Sequence, residues 1–401
     1  QYSTEYYQIE FDKFLSSHLL SGAVALEQLG ANRERVQKFV QQYSAKLVSS
    51  VVMDRQAPDA QPIKNNVMLL GQRKHYEQIR GFYQNILEEL NGDIAQLVRQ
   101  CFPPLSAGIA ASLFHSGINL GYAVFSGSKH SVVEALAYLH HSHKPIIFSQ
   151  SKPSNHISYF GQGELSFVQV LAVIEQDKAG LETLQKSAEL SMRTKQYGWY
   201  SSTPQYRIAA MLAQGNRLID YVNLIHIDEL FAKNIIDIDL NALNSWLLDQ
   251  AIALYARCEN KNEFVLLHCV TAAWSFCQFS PLLAPADLLI AARSLLSTFL
   301  AAYAVQGCPV IQALPDIKSV LSLDDWQLIT EQALARDMDE HVYKLVAVCK
   351  DRWFQLSNKM SSQAKLCELA ANIALENDIY WHQYELPEGL PQDAIGVSGI
   401  R

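Results

Sequence analysis

An all-α protein, a multi-helix single globular domain, is what the sequence predicts, and three observations carry that expectation. Apolar residues recur at three- and four-residue spacing along nearly the whole chain. Alternating stretches rich in Val, Ile and Thr are scarce. A hydrophobic content of 49% against 18% charged residues, in 401 residues, supplies a large core and argues against disorder.

Taken in order, Ser16–Leu29 and Asn32–Leu47 read as a helix pair, with Gly30 suited to a C-cap and Asn32 to an N-cap. Leu47–Asn65, with Pro58 and Pro62, reads as a loop. Helical patterning returns over Tyr76–Asn91, Ile94–Cys101, Ser106–Val124 and Val132–His141. Ser149–Gly163, with Pro153, Gly161 and Gly163, predicts the longest internal loop, an excursion or lid over the core. Further helices are expected over Glu164–Gln176, Ala179–Leu190, Gln205–Gln214, Asn216–Leu230, Leu240–Arg257, Phe264–Phe279, Pro285–Ala304, Asp324–Ala335, Glu340–Asn358 and Ser362–Glu376. No linker divides the chain, so residues 1–385 are expected to form one helical domain and residues 386–401 an extended or mobile tail.

A formal net charge of -8 argues against a phosphate-binding surface, so nucleic acid is not an expected partner. The seven cysteines form no C-x-x-C pair and mostly fall in apolar runs, as reduced core thiols do. The first residues lack the basic and apolar regions of a secretory signal, which makes a cytoplasmic location the default expectation. Phe264–Phe279 is short for a membrane span, and Leu282–Val305 is interrupted by Pro285, Asp287 and Arg293; both are expected in the core rather than in a membrane. No dinucleotide fingerprint after a strand, no P-loop and no G-x-S-x-G elbow is present.

The chemistry-bearing feature is a set of histidines in greasy helical sequence: His18, His115, His268 and His341, with Lys344 one turn after the last. Burying imidazoles and an ammonium is costly unless something satisfies them, and a buried metal site between helices would do so. His115, Asn119 and Tyr122 form a polar stripe, as do His268, Thr271 and Ser275 in a stretch without charge. Gly117 and Gly121 lower helix propensity and imply close packing or a nearby ligand. Asp337, one turn before His341, has the spacing to orient its imidazole, and Thr271 the spacing to support His268. Each feature also has a plain alternative: core histidines bonded to carbonyls, an acidic helix N-terminus, a lysine that snorkels outward or pairs with Glu340. The density of His140, His141 and His143 reads as a helix end rather than a site.

These segments resemble the questin oxidase-like family. The matching pieces are His18 with Ala25-Leu26-Glu27-Gln28-Leu29-Gly30-Ala31, Leu69-Leu70-Gly71 with Tyr76, Phe114-His115-Ser116-Gly117-Ile118-Asn119-Leu120-Gly121-Tyr122-Ala123, and Glu134-Ala135-Leu136-Ala137-Tyr138. The most specific are Asn262 through Thr271, around His268, and Asp339-Glu340-His341-Val342-Tyr343-Lys344-Leu345. The resemblance implies an all-helical oxidase that opens anthraquinone-type aromatic polyketides at a non-haem Fe(II) centre. It implies metal-ligand roles for His18, His115, His268, His341 and Lys344, the lysine carboxylated on Nζ. It also implies NADPH as reductant, which without a Rossmann signature would act as an external one. Dioxygen and a flat aromatic substrate are the expected small-molecule partners, with Asn119, Tyr122 and Tyr343 as candidate catalytic residues and Trp274 lining the substrate cavity. Asn119 stands where a basic residue is expected and Trp274 where relatives commonly show another histidine, so substrate recognition is expected to differ. A zinc- or nickel-dependent hydrolase and a non-enzymatic binding protein for an apolar or aromatic metabolite are the alternative readings.

Overall fold

The structure, a computed structural model, describes residues 6–11, 15–47, 65, 67–144, 160–182, 186, 204–213, 216–227, 240–314, 322–335, 337, 339–359 and 361–381. Most of the Leu47–Asn65 and Ser149–Gly163 loops, the second half of Ala179–Leu190 and the whole 386–401 tail lie outside those residues. Within them the fold is all-α, as the periodicity predicts. A short antiparallel ribbon, β1 (Glu10–Phe11) and β2 (Leu15–Ser16), is the sole sheet among the described residues, with Glu10 opposite Ser16.

The helices are α1 (Leu19–Gln28), α2 (Arg33–Ser44), α3 (Tyr76–Glu89), α4 (Ile94–Cys101), α5 (His115–Ser126), α6 (Lys129–His141), α7 (Phe167–Gln176) and α8 (Pro204–Ala213). They continue as α9 (Asn216–Asn223), α10 (Leu240–Arg257), α11 (Phe264–Phe279), α12 (Pro285–Val305), α13 (Leu323–Ala335), α14 (Glu340–Gln355) and α15 (Ser362–Glu376). Local chemistry sets many ends. Asn32 Oδ1 accepts the Arg35 N–H at 2.9 Å and starts α2, while Gly30, at φ 88°, ends α1 in the left-handed region open to glycine. Ser166 and Gln169 close a reciprocal capping box on α7.

α11 is the hub. Uncharged along its length, it packs against α5, α10, α12 and α14 and is buried nearly all round. α1 lies across α14 and α5, and α6 lies between α5 and α3. Phe264–Leu282, which is α11 with the 3-10 turn that follows it, and α12 are long and apolar enough to span a membrane, yet both are mostly buried within the protein. At Gly121, α5 approaches α11 so closely that an added Cβ would collide with the Ser275 backbone and Cβ. Close packing is therefore what this glycine serves; an added Cβ at Gly117 would make only ordinary contact with Ile109.

Among the helix starts that differ from the sequence reading, two lie at histidines. α1 begins at Leu19 because Ser16 is held in β2. The expected helix Ser106–Val124 is broken: residues 103–108 form a 3-10 turn and α5 begins only at His115. In between, Ser112, Leu113 and Phe114 take φ of 52°, 53° and 65°. Left-handed backbone costs an L-residue about 1–2 kcal/mol, so three in succession persist only where the surroundings enforce them. Leu113 and Phe114 are buried, and the Ser112 carbonyl accepts the His115 N–H at 3.2 Å.

Two consequences are measurable. Gly121→Ala should force α5 off α11 and cost about 1–3 kcal/mol, read as a lower chemical-denaturation midpoint. Glu263 caps α11 by accepting the Leu266 N–H at 2.7 Å, and its burial pushes the carboxyl up to about 8 from 4.5. A carboxyl that holds its proton more tightly when folded stabilises fully below the unfolded value and loses that contribution as pH rises through the folded one. Stability should therefore fall between about pH 4.5 and 8, and Glu263→Gln should flatten that fall, read as thermal midpoint against pH.

Candidate metal centre

Four elements deliver the histidines to one place. His18 stands at the entry to α1, His115 is the first residue of α5, His268 lies one turn into α11, and His341 lies in the first turn of α14. The rings form a closed cluster, with centroids 4.7 Å apart for His18 and His115, 4.6 Å for His18 and His341, 4.7 Å for His115 and His268, and 4.9 Å for His268 and His341. One ring nitrogen from each of His18, His115 and His341 lies within 4.8 Å of the others. Lys344 completes the group, 0% exposed, with Nζ 3.2 Å from His18 Nδ1.

The hydrogen bonds fix which nitrogen is free. His115 Nδ1 lies 2.5 Å from the Ser112 carbonyl oxygen, and His268 Nδ1 lies 2.7 Å from that of Phe264. His341 Nδ1 lies 2.5 Å from Asp339 Oδ1. Carbonyl oxygens and a carboxylate only accept, so each Nδ1 carries the hydrogen, and a neutral ring then presents a bare lone pair at Nε2. His115 Nε2 and His268 Nε2 face each other at 3.1 Å, and His341 Nε2 is buried with no partner. Opposed lone pairs at that distance repel in dry surroundings, and a cation between the rings relieves them.

Burial holds His18, His115 and His268 well below the usual histidine range, reinforced by Lys344 and the neighbouring rings, so these imidazoles are neutral. Burial also lowers Lys344 to about 8, against the opposing pull of Glu340 and Asp339. Burial would raise the Asp339 carboxyl, but His341 and the bonds to it bring the balance below the usual range. Uncharged imidazoles with one nearby amine close to neutrality are a donor set suited to a divalent cation.

Not every expected site residue is here. Asp337 does not orient His341: it pairs with Lys38 at 2.7 Å and Arg35 at 3.5 Å, and Asp339 takes the role instead, also capping α14 through the His341 N–H at 2.9 Å. Thr271 donates to the main-chain oxygen of His268 at 3.3 Å rather than to its ring. Tyr343 faces α2, where its hydroxyl accepts from Arg35 Nη2 at 2.6 Å and its ring meets Phe39. Trp274 is core, packed on Tyr122 at 4.7 Å with Nε1 donating to Asp351 at 2.8 Å. Tyr122 follows Trp274 away from the histidines, and burial raises its hydroxyl well above the usual tyrosine value. Asn119, one turn beyond His115, lines a cleft beside the cluster, its Nδ2 buried without a partner. His140 is structural, bonded to Tyr83 Oη at 2.8 Å and to the Met68 carbonyl at 2.6 Å.

A family model described as Questin oxidase-like matches residues 15–349, a span that holds every residue of the cluster. The chain belongs to the questin oxidase-like family. Membership gives an oxidase-type function, and the histidine cluster could hold a metal. Comparison with curated proteins gives no match.

Sequence reasoning missed three supports of this questin oxidase-like centre. Asp339 was signalled by its place as the last residue before a helical run, where an N-cap belongs. The Ser112 carbonyl leaves no residue signature. Tyr138, fully buried, ties the two segments together: its hydroxyl meets Ser16 Oγ, two residues before His18, and hydrogen-bonds to the Ser112 side chain, three before His115. Tyr138→Phe removes both tethers with little change of volume. It should weaken metal affinity by about 10–100-fold, measured by competition with a chelator, while helicity of the metal-free protein stays unchanged.

Proposed function

We propose that this chain is a non-haem iron oxygenase acting on an aromatic polyketide or a similar flat, apolar small molecule. The observation that carries the proposal is the convergence of imidazoles whose Nδ1 atoms are satisfied outward, leaving Nε2 as the nitrogen available to an ion at His115, His268 and His341. His18, His115, His268, His341 and Lys344 would hold the ion. Nitrogen donors with a single anionic oxygen suit Fe(II) better than thiolate-seeking metals, and the seven cysteines stand free elsewhere. Iron, when bound, supplies the one-electron chemistry that lets dioxygen react with a closed-shell organic molecule.

The rest falls to the protein. With Lys344 lowered to about 8, about a tenth of the amines are neutral near pH 7. A neutral amine can attack carbon dioxide, forming an N–C bond and releasing one proton to leave an anionic carbamate. Such a group supplies the negative charge that four imidazoles lack. Asp339 and the carbonyls of Ser112 and Phe264 hold the rings in their tautomers, and the apolar helices exclude water. An external reductant such as NADPH would deliver electrons.

Oxygen uptake decides the reading. Iron-loaded protein is expected to consume dioxygen when given a hydroxylated anthraquinone and a reductant, and His268→Ala is expected to abolish that uptake. Uptake that is equal in the variant, or absent across an aromatic panel in fully iron-loaded protein, would overturn it. Because a metal that binds only the folded chain stabilises it, chelation should lower the thermal midpoint of the wild type and leave that of His268→Ala unmoved.

A further inference from the structure

The histidine cluster is closed to solvent. His18, His115, His268, His341 and Lys344 are all buried, so anything that reaches them has to pass a side chain that gives way. The cleft beside Asn119 is no entrance, because it offers about 30 Å³, room for a water or two. Elsewhere the cover is thick: Tyr43 stands beside His18 and is itself stacked on Phe39, while Leu113 and Phe114 lie buried in the turn before His115. One side is thin. There Phe264 covers His268 and His341, and Trp381, 38% exposed, stacks on Phe264 with ring centroids 3.8 Å apart and planes inclined by 26°.

Trp381 arrives there on a strap. After α15 ends at Glu376, the chain runs beside the start of α11, which carries Phe264 and His268. Asn262 fastens the strap twice: its Nδ2 donates to the Asn377 carbonyl at 2.7 Å, and its own carbonyl accepts the Tyr380 N–H at 2.8 Å. The Tyr380 carbonyl in turn accepts the Phe264 N–H at 3.0 Å. Asn262 is a firm anchor, buried and with Oδ1 accepting from Tyr255 Oη at 2.8 Å. Trp381 lies one residue past the last of these bonds. Swinging its indole off Phe264 therefore breaks a ring contact and none of the bonds that hold the strap.

We propose that the Phe264–Trp381 stack is the entrance to the cluster and that Trp381 sets what reaches it. With the indole seated, two aromatic layers separate His268 and His341 from water. With it turned outward, Phe264 alone remains, and its ring can change rotamer without disturbing the main-chain oxygen that holds His268 Nδ1. The strap stays fastened, so opening is local and leaves α11 and α14 in place. Stacking favours the seated state, since an offset ring pair gains more than the area it buries. Residues 377–381 lie beyond the span 15–349 that matches the family, so access is governed by a segment separate from the one that supplies the histidines. The inference rests on reading the cluster as a site that an ion or small molecule must reach, and one arm of its test needs no metal.

The probe is diethyl pyrocarbonate, which carbethoxylates the free nitrogen of a neutral imidazole, applied to the full-length chain after chelation and scored at each histidine by peptide mass mapping. His226 is exposed, and His140 is buried with both ring nitrogens bonded, so the two bracket the fast and slow limits. In the wild type His341 should react far more slowly than His226. Trp381→Ala should raise the rate at His341 by roughly three- to tenfold, the loss of one stacked pair, with His226 and His140 unchanged. Trp381→Phe keeps a stacked ring and should stay near the wild-type rate. Circular dichroism checks that both variants, made at a partly exposed side chain, keep the fold. A wild-type rate at His341 equal to that at His226, or no rise in Trp381→Ala, overturns the proposal; so does a rise at His140 as well, which marks a loosened fold. In protein as purified, metal loss to excess chelator should quicken in Trp381→Ala at unchanged metal content, and equal loss contradicts the proposal. Wild type that holds no metal removes the metal reading of the cluster, and the carbethoxylation rates still decide the entrance.

Discussion

Four imidazoles and an ammonium-bearing side chain share one dry space, and the rest of the structure is arranged around that constraint. A charged cluster there would be prohibitive, so burial drives His18, His115 and His268 to the neutral form and lowers Lys344 toward it. Neutrality does not remove the problem, because rings with hydrogen on Nδ1 turn unshielded lone pairs toward one another. His115 Nε2 and His268 Nε2, 3.1 Å apart, are the sharpest instance of that conflict, and a cation held by both would relieve it.

The fold accepts local costs to hold that arrangement. Three successive left-handed residues before His115 run against the preference of L-amino acids, yet they aim the Ser112 carbonyl at the ring and start α5 where the cluster requires. Gly121 sacrifices helix propensity so that α5 can lie against α11, the two helices that carry His115 and His268. Tyr138 then ties the entry to α1 to the same left-handed turn. Outside, Phe264 covers His268 and His341, with ring centroids 4.4 and 5.2 Å away, and Trp381 stacks on Phe264 at 3.8 Å. Wall and ligands are thus parts of one packing solution.

Much of this was legible in the sequence because it is periodic. Helical spacing located α1 to α15 to within a few residues in most cases, and apolar context singled out the histidines and Lys344 that the fold brings together. Failures arose where the chain is not helical or where a face was misjudged. Asp337 has helical spacing to His341, but the helix starts after it, so the one-turn argument did not apply and the N-cap Asp339 prevailed. Tyr343 lies two residues from His341, about 200° around the helix, and faces α2. Tyr122 shares the His115 face but stands about 10 Å farther along α5, beside Trp274 in the core. Backbone acceptors such as the Ser112 and Phe264 carbonyls carry no residue signature and needed coordinates.

Family membership and the cluster point the same way: a questin oxidase-like chain has, where four of its helices meet, a histidine cluster that could hold a metal ion. The most direct measurement is elemental analysis by plasma mass spectrometry of full-length protein purified without chelators or a histidine tag, beside a His115→Ala, His268→Ala variant. The account predicts about one iron per chain in the wild type and none in the variant. Folded wild-type protein that carries no metal, and gains no thermal stability from added Fe(II) under anaerobic conditions, would contradict it.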